Sequence, residues 1–103
     1  MSRLASAAAA LVLSAGAALA QSAAVEFVNN TTSTVWRLYM SPTSTASWES
    51  DLLGTDVLYP GQSLRVTRAN MSGCVYDVLI EWEGGAQETD TFDLCTFGRY
   101  VIN

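Results

Sequence analysis

The chain has 103 residues, with ten acidic residues against five arginines, no lysine and no histidine, and a net charge of −5. The missing histidine removes Ser-His-Asp and Cys-His catalysis and histidine-based metal sites, and the missing lysine removes Schiff-base chemistry. An acidic chain without a basic stripe is also a poor partner for nucleic acid or anionic lipid.

Residues 1–20 read as a secretory signal. Arg3 precedes an uncharged, alanine-rich run that ends in Ala18-Leu19-Ala20, a small-residue cleavage pattern that places the cut before Gln21. The run is marginal for a transmembrane helix, so no membrane span is expected after signal removal. Without a twin arginine, the general export route is expected. Residues 21–103 are then one small domain, exported to the periplasm or secreted.

Ala24–Val28 alternates, with Val25 and Phe27 on one face. Ser33–Met40 alternates as well, setting Trp36, Leu38 and Met40 opposite Val35, Arg37 and Tyr39. The polar run Asn29-Asn30-Thr31-Thr32 between them predicts a hairpin. Pro42 ends the second strand. In "SWESDLLG", Ser47 is a helix cap, Glu49 and Asp51 fall in a first turn, Trp48 and Leu52 share a face, and Gly54 is a stop. The pattern predicts one short helix plugging the fold. Tyr59-Pro60-Gly61-Gln62 is a type II turn by its proline and glycine, and Leu64 and Val66 alternate after it.

Val75–Trp82 is the clearest strand, with Tyr76, Val78, Ile80 and Trp82 on one face and Asp77 and Glu81 on the other. Gly84-Gly85 predicts a tight turn, followed by a return strand over about Gln87–Cys95 and another within Phe97–Ile102. A two-residue turn sets Cys74 directly opposite Cys95. It also sets Glu81 against Glu88 and turns Phe92 and Leu94 away from the core face, so the register and the disulfide pull apart unless a bulge intervenes. Six or seven short strands predict a small antiparallel β-sandwich of immunoglobulin-like size, with one short helix and one disulfide.

Cys74 and Cys95 in an exported domain read as a disulfide that contributes about 3 kcal/mol. Their spacing does not suit a redox Cys-x-x-Cys pair. Trp48, Glu49, Asp51 and Asp56 are the candidate partner or ligand contacts. No catalytic, cofactor or metal residue is assigned. Calcium is the chemical alternative, at Glu49, Asp51 and Asp56 or at Glu81, Glu83, Glu88 and Asp90, although neither group has EF-hand spacing. A third reading is a small secreted enzyme inhibitor that presents Arg68-Ala69-Asn70-Met71-Ser72-Gly73. Asp77 is expected to pair with Arg37 or Arg65 on the outer sheet face.

The ordered set "FVNNT", "LYMSP", "SWESDLLG", "LYPGQS", "CVYDVLIEWEGG" and "LC" resembles a family of small exported bacterial domains, often labelled only by their export signal and without an established activity. The resemblance spans nearly all of residues 25–95. It implies export, a compact β fold, a Cys74–Cys95 bridge, and structural weight on Trp48, Asp51, Gly54, Pro60, Gly61, Tyr76 and Asp77. Members often carry a twin-arginine signal, which this chain lacks. The expected function is a non-enzymatic binding or structural module of the cell envelope, without a cofactor, whose partner is an envelope macromolecule or a small ligand.

Overall fold

A computed structural model describes residues 21–96 and 98–103, so the expected signal over 1–20 and the start of the last predicted strand at Phe97 lie outside the described residues. Six strands follow in order: β1 (Gln21–Asn29), β2 (Val35–Pro42), β3 (Ser63–Met71), β4 (Val75–Trp82), β5 (Gln87–Asp93) and β6 (Arg99–Ile102). They form two three-stranded sheets, β3-β1-β6 and β2-β4-β5. All pairs are antiparallel except β1 with β6. The sheets face each other over one core, with Val25, Phe27, Val66 and Ile102 on one side and Val35, Leu38, Met40, Tyr76, Val78, Ile80 and Phe92 on the other. The fold is the β-sandwich that the alternation predicts.

The predicted β1–β2 hairpin is not formed, because the two strands belong to different sheets. Asn29 is what lets the chain cross over. It is fully buried. Its Nδ2 donates to the carbonyls of Ser33, at 2.8 Å, and Leu58, at 3.0 Å. Its Oδ1 accepts from the backbone N–H and the hydroxyl of Thr31, at 3.1 and 2.7 Å. Its own backbone binds Gln62 and Gly61 across the type II turn, where Gly61 takes φ +85° and Gln62 N–H closes onto the Tyr59 carbonyl at 3.0 Å. A buried carboxamide is stable only when both its donors and its acceptor are met, and this one is.

The β4–β5 hairpin settles the conflict between register and disulfide. Its loop is three residues long, Glu83-Gly84-Gly85, closed by Gly85 N–H to Trp82 O at 2.9 Å and Trp82 N–H to Ala86 O at 2.8 Å. Both glycines have φ near +100°, a region that side chains rarely enter. The extra loop residue moves the register by one. Tyr76 therefore faces Phe92, and Glu81 faces Gln87 rather than Glu88, so Phe92 enters the core and the like-charge pair disappears. Leu94 N–H continues the ladder to Cys74 O at 2.8 Å. The Asp93 carboxylate then accepts from the backbone of Cys95 and Thr96. This tight turn carries Cys95 back over Cys74, where the two are bonded with Cα atoms 5.4 Å apart. A disulfide here is consistent with an oxidising compartment.

The same register points Glu88 and Asp90 of edge strand β5 toward the inner side, alongside Phe92. Tyr100 reaches across from β6, packs on Phe27 and Phe92, and donates its hydroxyl to Asp90 Oδ2 at 2.6 Å. Burial, that hydrogen bond and the negative charges of Asp90 and Glu88 together raise the Tyr100 phenol well above its ordinary value of 10.0. A phenol whose folded-state pKa is raised stabilises the fold fully below pH 10.0, and that contribution is lost as pH rises through the folded-state value. The melting temperature of the wild type should therefore fall more steeply above pH 10.0 than that of Tyr100→Phe, as measured by thermal unfolding across alkaline buffers. Asn29→Ala should cost about 1–3 kcal/mol in chemical denaturation, because it removes one of two donors from each of the Ser33 and Leu58 carbonyls and the acceptor of the Thr31 N–H. Asn29→Asp, which cannot donate to the Ser33 and Leu58 carbonyls, should be no better.

Candidate functional site

Three connections meet at one end of the sandwich: the β1–β2 crossing, the segment 51–62, and the β4–β5 loop. A single bridge organises them. Val35 and Leu58 exchange two backbone hydrogen bonds of 3.0 Å, and both side chains are buried. Glu83 N–H joins the third connection by donating to Thr34 O at 3.0 Å. Immediately after each bridged residue comes an aromatic left in water: Trp36 is 43% exposed and Tyr59 is 56% exposed.

Simple alternation sets Trp36 on one face with Leu38 and Met40. A β-bulge overturns this. Val35 pairs with Trp82, but Arg37 pairs with Glu81, so Trp36 is the extra residue. Val35, Leu38 and Met40 point inward instead. Bulges re-aim side chains in this way at some cost to the ladder. Here the bulge leaves Trp36 lining an open groove of about 250 Å³ with Arg37, Glu81, Trp82, Gly84 and Gly85. Arg37 Nε meets Glu81 Oε1 at 3.2 Å, and Gln87 Nε2 donates to Glu81 Oε2 at 3.2 Å. The expected Asp77–arginine pair is absent among the described residues: Asp77 instead accepts from the Thr91 hydroxyl at 2.8 Å.

Beyond the Val35–Leu58 bridge lies the larger cavity, about 580 Å³, lined by Leu53, Asp56, Leu58, Tyr59, Gln62 and Leu64 among others. Asp56 is the one candidate contact that reaches it. Glu49 lies 3.9 Å from Arg68, on the surface. Asp51 is committed to the backbone: its Oδ1 accepts from Leu38 N–H at 2.9 Å and from Leu53 N–H at 3.1 Å. With Leu52 N–H bonded to Leu38 O at 2.7 Å, this carboxylate lays the segment along the outer edge of β2. The predicted helix is therefore replaced by turns among residues 52–55. An aspartate that caps two backbone groups outside a helix competes with the helix itself. Leu53 goes into the core, whereas Trp48 is 39% exposed and stays outside it.

Neither acidic group converges into a cation cage. Among the described residues, the one cluster of possible metal-binding side chains is Cys74, Asp93 and Cys95, and those cysteines are bonded to each other. The expected inhibitor loop does not stand free either. Arg68–Met71 belongs to β3, and Met71 is buried opposite Gln21. No described helix is long and apolar enough to cross a membrane.

Sequence reasoning missed the Trp36 groove. The bulge that creates it lies in the pairing of β2 with β4, strands far apart in the chain, so no local sequence signal reports it. Trp48→Ala should cost no more than about 1 kcal/mol, as surface changes do. Leu53→Ala should cost about 2–5 kcal/mol, as core truncations do. Urea denaturation of the two variants gives the order. Compared with known protein families, curated proteins and solved structures, the chain finds no match.

Proposed function

We propose that the chain is an exported, non-enzymatic binding module of the cell envelope, periplasmic or secreted, that meets its ligand with the loop end of the sandwich. The observation that carries this reading is the pair of exposed aromatics, Trp36 and Tyr59, set on either side of the Val35–Leu58 bridge. Large apolar side chains left in water on a rigid frame are the usual anchors of recognition, because little ordering entropy remains to be lost when they bind. Loops gathered at one end of a sandwich are a common way to build such a surface. The lack of histidine and lysine supports binding over catalysis. The alanine-rich segment 1–20 and the disulfide support export.

The test is capture from the native envelope fraction by immobilised wild type and by a Trp36→Ala/Tyr59→Ala double variant. Both should melt at nearly the same temperature, since neither ring belongs to the core. The wild type should retain an envelope component that the double variant loses. Equal capture by the two would remove the loop end as the binding surface.

A further inference from the structure

We propose that Asp93 guards the Cys74–Cys95 bridge against reduction, as a fixed negative charge that turns thiolates away from the sulfurs. One carboxylate oxygen of Asp93 and the two sulfurs lie within 4.8 Å of one another. Asp93 takes part in no ion pair among the described residues. The carboxamide of Gln21, which lies 3.5 Å from Cys74 Sγ and 3.6 Å from Cys95 Sγ, is neutral. The turn after β5 does not need the charge. Asp93 Oδ1 accepts from the N–H groups of Cys95 and Thr96, at 2.9 and 3.2 Å, and the carboxamide oxygen of an asparagine would accept both as well. What a carboxylate adds over an asparagine is its charge, placed beside the disulfide.

Exposed bridges are the readily exchanged ones. Cys95 is exposed and Cys74 half-buried, so an incoming thiolate reaches the Cys95 sulfur. In that step a bond forms between the reagent's sulfur and Cys95 Sγ, the Cys74–Cys95 bond breaks, and Cys74 leaves as a thiolate. A second thiolate then displaces Cys95, which leaves as a thiolate in turn, and the two reagent molecules depart as their own disulfide. Attack and departure both bring negative charge up to Asp93. The approaching thiolate meets it from solvent, and the Cys74 thiolate forms against it, half out of water, where screening is weaker. The barrier therefore rises most for a reagent with a second negative charge and least for one that also carries a cation.

The experiment follows reduction of the purified, oxidised protein by mercaptoacetate, by mercaptoethanol and by cysteamine, with rates referred to thiolate concentration and read by alkylation and mass spectrometry. At low ionic strength, Asp93→Asn should speed reduction by mercaptoacetate about fivefold or more, by mercaptoethanol less, and by cysteamine least. Asp93→Ser, a second neutral acceptor, should give the same order. Salt at about 0.5 M should shrink the differences. Glu83→Gln, which removes a charge from the far end of the same hairpin, should leave all three rates within about twofold of the wild type. Equal acceleration with all three reagents would mean that the substitutions only loosen the turn, and would overturn the inference. Unchanged rates would do so too, as would the same graded response in Glu83→Gln, which assigns the effect to the net charge of the chain.

Discussion

The buried carboxamide of Asn29 is the contact on which the architecture turns. A two-sheet sandwich has to pass its chain from one layer to the other, and the crossing exposes backbone groups that no strand can pair. Asn29 gives the Ser33 and Leu58 carbonyls there a second donor, beside the Thr31 hydroxyl and the Val35 N–H, while its own oxygen is held by Thr31. Leu58 is tied to Val35 on its other side, so the position of the carboxamide sets the position of the bridge, and the bridge sets Trp36 and Tyr59. A hydrophobic residue there would leave the Thr31 N–H without its acceptor and each carbonyl with one donor fewer, and a carboxylate could accept but not donate.

Alternation of apolar residues was enough to read the strands, because each β residue pair has one inside and one outside member. The type II turn at Tyr59–Gln62 was equally plain, since proline and glycine impose it. The single disulfide and the sandwich followed from the same local signals. What escaped was everything that depends on a count of one. The bulge at Trp36 flips the parity of Val35, and the third loop residue at Glu83 restores Phe92 to the core. Both depend on pairing partners far away in sequence. Asp51 is a further case: a carboxylate followed by leucines suits the first turn of a helix and an extended cap equally well. The nearby β2 edge, with an N–H at Leu38 to be met, decides between them.

The two ends of the molecule divide the work. One end holds the Cys74–Cys95 bridge beside Gln21. The other holds the loops, without a covalent link, by hydrogen bonds through Asn29 and the Val35–Leu58 bridge. A small sandwich has a thin core, and a covalent staple at one end eases the demand on packing elsewhere. That margin is consistent with leaving Trp36 outside the core, where burial would have added stability but removed the groove.

Strand β5 has a consequence for how copies of this chain meet one another. It is an edge strand with open backbone groups, the kind of rim that can zip onto an identical rim. Its inward side carries Glu88 and Asp90, with Asp90 held by Tyr100. Two such edges brought together would place these carboxylates against each other in a half-dry seam, where repulsion is screened least. The outer edge of β2 is protected differently, by the segment that Asp51 lays along it. Two of the sheet rims thus offer a second copy less open backbone to pair with, β5 for reasons of charge and β2 for reasons of cover at Leu38.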